Sequence, residues 1–210
     1  MIKAIVLAVL SVMLLSGGAQ CYFTASSDND SSDEQKSGLV VIVRDGQLID
    51  SPVQGVQYRS GSLFGVTGPE GEFQYEEGAV ILFSIGDIRL GEAVPAKSLM
   101  SPFDLVPDGN IDSPAVINIA RLLQSLDAMS GDARITIPGS SLVAARLDNS
   151  DIGPVIEQLD FADNAVFVNT ATQLIASLTA DYPHTAMLID ADTAREQLEL
   201  SLDRFGIARP

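Results

Sequence analysis

The chain has 210 residues and a mass of 22.2 kDa, room for one or two domains. It carries 28 acidic against 12 basic side chains, a formal charge of −16, with one Cys, one His and no Trp. These counts exclude a zinc centre of Cys and His, which takes about four ligands, a disulfide within the chain, and a surface that neutralises nucleic-acid phosphates. No nucleic-acid partner is expected, and His-dependent catalysis would rest on His184 alone.

Met1-Ile2-Lys3 is a short cationic start, Ala4 to Leu15 an apolar run broken only by Ser11, and Ser16-Gly17-Gly18-Ala19 a small-residue zone. This order of charge, apolar run and small residues predicts a signal peptide over residues 1–20. The apolar run falls short of the ~20 residues that a membrane-spanning helix needs. Two cleavage readings follow. In one, the segment resembles a bacterial lipoprotein signal, with Cys21 as the acylated N-terminus and a palmitate-type anchor holding the chain to a membrane. In the other, cleavage follows Ala19, since Gly17-x-Ala19 suits a small-residue protease site. Cys21 would then be a free thiol in an oxidising compartment, and the first reading is preferred because it avoids that. Either cleavage removes Lys3 and takes the charge from −16 to −17. Tyr22, in place of the Asp associated with inner-membrane retention, favours the outer membrane, with the chain facing the periplasm or the surface.

Residues 21–38 read as an acidic, Ser-rich tether, expected to be disordered. From Thr24 to Gly38 there is no large aliphatic residue to offset the entropy of ordering. Leu39 to Gly91 reads as β structure. Leu39-Val40-Val41-Ile42-Val43 has the length and branching of a strand, and Asp45-Gly46 reads as a turn. Leu63 to Thr67 is a short strand, Gly68-Pro69-Glu70-Gly71 a tight turn, and Phe73 and Tyr75 share a face by alternation. Ala79 to Ile85 is a further strand, and Gly86-Asp87 is a hairpin signal returning through Ile88-Arg89-Leu90. The aromatics Phe64, Phe73, Tyr75 and Phe83 are expected in the core of a sandwich.

The strings Asp50-Ser51-Pro52-Val53-x-Gly55-Val56-x-Tyr58, Gly65-Val66-Thr67-Gly68-Pro69-Glu70-Gly71-Glu72-Phe73-x-Tyr75 and Phe83-Ser84-Ile85-Gly86-Asp87 resemble a prealbumin-like module, the kind carried by carboxypeptidase regulatory domains and Gram-negative surface lipoproteins. The resemblance implies a non-catalytic β-sandwich.

From Pro95 the pattern turns helical. Ser113-Pro114 opens a helix as N-cap and N1, and Val116, Ile119, Ala120, Leu123 and Leu126 recur at helical spacing. Ile135-Thr136-Ile137 is a short strand, and Ser141–Leu147 and Pro154–Leu159 are short helices. Thr170 with Gln173, and Thr193 with Glu196, have capping-box spacing, and Gly206 ends the last helix. Asn118 to Asp127 and Ala191 to Leu198 resemble segments that follow the β module in proteobacterial envelope lipoproteins. The expected fold is therefore α+β: a small antiparallel prealbumin-like β-sandwich over residues 39–94, then a mostly helical subdomain over 95–210.

Asp108-x-Asn110-x-Asp112 has the oxygen spacing that opens a Ca²⁺ loop, but Ser113 and Ile119 stand where such a loop needs Gly and Glu. Acidic helix-capping loops are the favoured reading and a Ca²⁺ site the alternative. Asp127, Ser130 and Asp132 form a second acidic loop. His184 lies in a loop with Asp181 as its only local carboxylate, and neither a nucleophile elbow nor a phosphate loop occurs in the chain. No catalytic residue is assigned, and no cofactor is expected apart from that Ca²⁺ alternative. These features describe an exported, lipid-anchored, non-enzymatic accessory or binding protein of the bacterial cell envelope. Its partners would be a membrane, another envelope protein, a surface polymer or an apolar small molecule. Short lipoproteins of this shape are similar to accessory partners of outer-membrane barrels that import alkanes or long-chain lipids. A surface adhesin or structural module is the second class, and a hydrolase the third.

Overall fold

The computed structural model describes residues 40–129 and 131–207. The predicted signal peptide, the tether, Cys21 and Ser130 lie outside the described residues. Ten short strands and five helices follow in chain order: β1 (Val43–Leu48), β2 (Val53–Gln54), β3 (Gln57–Ser60), β4 (Leu63–Val66), β5 (Glu72–Glu76), β6 (Val80–Ile85), β7 (Ile88–Arg89), β8 (Val94–Pro95), β9 (Leu99–Met100), α1 (Pro114–Ser125), β10 (Ile135–Thr136), α2 (Gly139–Ala144), α3 (Gly153–Glu157), α4 (Asn164–Leu178) and α5 (Ala191–Phe205). This is an α+β fold with a β-sandwich-like region. One sheet has the order β4-β3-β6-β7, with β8 also on β6, and another the order β5-β1-β9. The pairing is mostly antiparallel, but β9 on β1 and β10 on β2 are parallel.

The first strand is shifted from its expected place. Val40, Val41 and Ile42 precede it and are exposed, and the paired segment starts at Val43. Asp45-Gly46 is not a turn, because both residues pair across β1 and β5, with Gly46 opposite Phe73. A Cβ on Gly46 would stand 2.4 Å from Cζ of Phe73, so glycine is what lets the strand lie under that ring.

Phe73 is the centre of the strand core. Its ring lies 5.1 Å from Phe83 in edge contact and 5.9 Å from both Tyr58 and Tyr75. Phe64 departs from expectation and is 82% exposed. Along β4, Leu63 and Gly65 take the inward positions. The Gly65 position is filled by Tyr58, whose Oη would meet a Cβ there at 2.7 Å. Phe64 is left on the outer face.

The helices complete the same core. Ile119, Leu122, Leu123 and Leu126 at α1 cluster with Phe73, Phe83 and Ile85 from the strands and with Phe167, Leu174 and Leu178 of α4. A smaller cluster joins Phe103 to Val116 and Ala120 of α1 and to Leu198 and Leu202 of α5. From Val116 to Ser125, α1 is buried throughout, as its many-sided apolar pattern anticipates.

The caps differ from the capping-box reading. Asp163 caps α4, accepting from the N–H groups of Ala165 and Val166 at 2.9 and 3.1 Å, and Asp190 caps α5 through those of Asp192 and Thr193 at 3.1 and 2.9 Å. Thr170 is mid-helix, its hydroxyl donating to the Val166 carbonyl. Gly206 ends α5 at φ 66°, a left-handed cap.

Candidate functional site

Two clefts and one buried polar seam hold the chemistry of the described residues. The first cleft, of about 580 Å³, lies between β7, the connector through Leu105 and Val106, the start of α1, and α3 with the turn after it. Its open apolar lining comes from Val106, Leu147, Leu159 and Phe161, while Ile88, Leu105 and Ile119 stand fully buried behind it. Among the lining residues, Glu92, Glu157 and Asp160 stand with Asp87, which pairs with Arg146 at 3.3 Å, and Arg89 is the one cation of the lining. An apolar floor of this size suits a small hydrophobic molecule. The acidic rim disfavours one that carries a carboxylate.

The second cleft, of about 510 Å³, is polar. It is lined by Ser51, Ser125, Ser201, Asp127, Arg134, His184 and Arg204 among others. His184 is exposed at its rim, with its ring 5.8 Å from that of Tyr182. The serines here are tied into the fold. Ser125 donates to the Arg121 carbonyl at 2.6 Å and accepts from the Ile189 N–H at 2.9 Å. Ser201 accepts from the Ser51 N–H. Ser51 itself sits at φ 60°, a strained conformation for a residue with a side chain.

Behind this cleft runs the seam that sequence reasoning missed. Asp50 is buried in the bend between β1 and β2, and both its carboxylate oxygens accept from Gln124 Nε2 of α1, at 3.0 and 3.1 Å. The same nitrogen donates to the Ala194 carbonyl of α5 at 3.1 Å. Burial pushes the Asp50 carboxyl up to about 7, and the bond from Gln124 opposes the shift. Gln124 Oε1 is buried without a partner among the described residues.

One turn back along α1, Arg121 donates to Ile189 O at 2.8 Å, Asn118 Oδ1 at 3.0 Å and Asn164 Oδ1 at 3.2 Å, and its guanidinium stands 5.2 Å from the Phe167 ring centre. Burial draws the guanidinium below its usual value, and Asp190 opposes that. The available signal was the polar set Asn118, Arg121, Gln124 and Ser125 on a helix otherwise apolar all round.

The Ca²⁺ alternative falls on the loop leading into α1. Asn110 Oδ1 accepts from the Asp112 N–H at 2.9 Å, Ser113 Oγ accepts from the Asn110 N–H at 3.0 Å, and the Asp112 carboxylate stands 3.8 Å from Arg195. Asp108 adopts φ 54°. Ser113 holds the N-cap position without capping through its side chain. Among the described residues, no three His, Cys, Asp or Glu side chains group as metal ligands.

Over 78 residues the chain is 38% identical to YghJ of Escherichia coli O78:H11 (strain H10407 / ETEC) and, equally, to the AcfD homolog of Escherichia coli (strain K12), both provisionally named as lipoproteins. The match covers 34% of this chain and 5% of each relative, so the chain spans a small fraction of the length of the curated proteins it matches. No family model matches the chain, and no solved structure matches it. The likeness supports an envelope-associated, membrane-anchored lipoprotein. Among the described residues, no helix is long and apolar enough to cross a membrane.

Proposed function

We propose that this chain is an exported lipoprotein, acylated at Cys21, that acts without catalysis by holding an uncharged apolar molecule. It would serve an outer-membrane barrel that takes up alkanes or long-chain lipids. The cleft lined by Val106, Leu147, Leu159 and Phe161 carries this reading, because its acidic rim favours a neutral hydrocarbon over a fatty-acid anion. The lipoprotein similarity and the prealbumin-like strings of the strand half support the envelope setting. The non-enzymatic role is supported by serines whose hydroxyls are spent on backbone ties.

Displacement of a fluorescent naphthylamine probe by hexadecane tests the cleft. We expect saturable displacement, at least about tenfold weaker in Leu147→Glu and Ala162→Trp, which alter the cleft wall at residues outside the core. Absence of saturable binding, or binding indifferent to both changes, overturns the ligand. Radiolabelled palmitate tests the anchor: incorporation should vanish in Cys21→Ala, and a mature N-terminus at Gln20 overturns acylation. Unimpaired growth on alkanes after deletion of the gene overturns the transport role.

A further inference from the structure

In a chain of charge −16, one sheet face carries cations and no carboxylate among its described positions. Residues opposite one another in a sheet point to the same side. The register sets Phe64 beside Arg59 and Leu82 in one row, and Val66 beside Gln57, Ser84 and Arg89 in the next. Val80 shares that side by alternation along β6. Phe64, Val66 and Val80 are 82%, 51% and 53% exposed. Arg59 and Arg89, both exposed, make no ion pair among the described residues. The other described Lys and Arg side chains each meet a carboxylate, an aromatic ring or buried acceptors.

The chain also enters the fold at one end of this face. Exposed Val40, Val41 and Ile42 lead into β1, and the Ile42 carbonyl accepts from the Glu77 N–H at 2.8 Å. The neighbouring Glu76 carboxylate accepts from both the N–H and the hydroxyl of Ser62, in the turn between β3 and β4, at 2.6 Å. Phe64 follows that turn and Val80 follows Glu77 by three positions.

We propose that this face lies against a lipid bilayer bearing anionic headgroups, with Phe64, Val66 and Val80 entering the interface and Arg59 and Arg89 meeting lipid phosphates. The inference rests on the acylation of Cys21, which ties the fold to a bilayer through the segment that enters it at Val40. The 18 residues between Cys21 and Val40 span at most roughly 65 Å at ~3.6 Å each, so the anchor leaves the face within reach of the membrane. Apolar side chains flanked by unpaired guanidinium groups are the complement of such an interface. Arg89 also stands on the rim of the apolar cleft, and the acids of that rim, Asp87, Glu92, Glu157 and Asp160, lie in the turns, loops and α3 around it rather than on a strand of the sheet.

The test uses the mature chain in vesicles of phosphatidylethanolamine and phosphatidylglycerol, an acylated Cys21 being blocked to thiol reagents. An environment-sensitive fluorophore is placed on Val66→Cys or Val80→Cys, and on Val143→Cys or Met187→Cys as exposed controls away from the face. Blue-shifted emission and quenching by spin-labelled lipid are expected at positions 66 and 80 only. Both should fall at least severalfold when Arg59→Glu and Arg89→Glu are combined. Equal emission at all four positions overturns the proposal, as does quenching at 66 that ignores the charge reversal. Labelling of Cys21 itself shows instead that acylation has failed. The same four positions in a Cys21→Ser chain added to vesicles then decide the face by itself: a shift confined to 66 and 80 supports it, and no shift overturns it. Association with an acidic protein in place of vesicles also overturns it.

Discussion

Around Phe73 the side-chain packing is ring against ring: three aromatic rings within 6 Å and a glycine beneath. Around Gln124 it is nearly the reverse. There a carboxylate, an amide and a backbone carbonyl tie the bend after β1 to α1 and α5, and Arg121 repeats the pattern toward α4 and the chain before α5. The two regions fail differently. An apolar cluster loses stability in proportion to the volume removed and is indifferent to pH. A buried polar seam is held by geometry and proton occupancy, so the cost of any change depends on which groups remain unpaired.

The largest effect is expected in the first region. Phe73→Ala should cost about 3–5 kcal/mol, the range for a large aromatic removed from a packed core, because the ring is 2% exposed and three neighbours lean on it. Denaturant titration at pH 5 and pH 8 should give the same loss at both. A loss that changes with pH would break the contrast between the regions.

The second region should show the pH dependence that the first lacks. The Asp50 carboxyl sits near 7 in the folded chain, above the ordinary value of 3.8. Below pH 4 both the folded and unfolded states hold the proton, and Asp50 contributes no pH dependence. Between pH 4 and 7 the unfolded state releases its proton first, so stability falls with rising pH, by about 4 kcal/mol at most on a slope of 1.36 kcal/mol per unit. Asp50→Asn keeps an oxygen for Gln124 Nε2 and removes the titration. The variant should match the parent near pH 4 and exceed it by a few kcal/mol at pH 8. Parallel stability curves from pH 4 to 8 would show that the carboxylate is not held out of water as the structure places it.

What could be read from the sequence divides along the same line. The turn at Gly68 to Gly71, the hairpin at Gly86, the burial of α1 and the end of α5 follow from local rules, and the structure has them. The start of β1 does not. Val40 to Ile42 looks like a strand by composition, and Asp45-Gly46 looks like a turn only while Phe73, on another strand, is out of view. The helix starts at Asp163 and Asp190 were missed because capping-box spacing also occurs inside helices. The seam was illegible for a stronger reason: Asp50 stands before a Ser-Pro break, as a solvated turn residue would. Only the docking of α1, 74 positions away, and of α5 encloses it.

The smallest effect sharpens the comparison most. Phe64 is 82% exposed while Phe73, also on a strand of this half, is 2% exposed, so the same side-chain deletion probes opposite roles. Phe64→Ser should change folding stability by no more than about 0.5 kcal/mol, the usual range for a surface site away from caps, charges and strain. Thermal unfolding of the two chains should superimpose. Vesicle association of an unacylated Cys21→Ser chain should nevertheless weaken when Phe64→Ser is added, since an exposed aromatic that contributes nothing to the core is free to be buried in a membrane interface. A Phe64→Ser chain that unfolds several degrees early would mean the ring is part of the fold after all. The outer face would then be an extension of the Phe73 core.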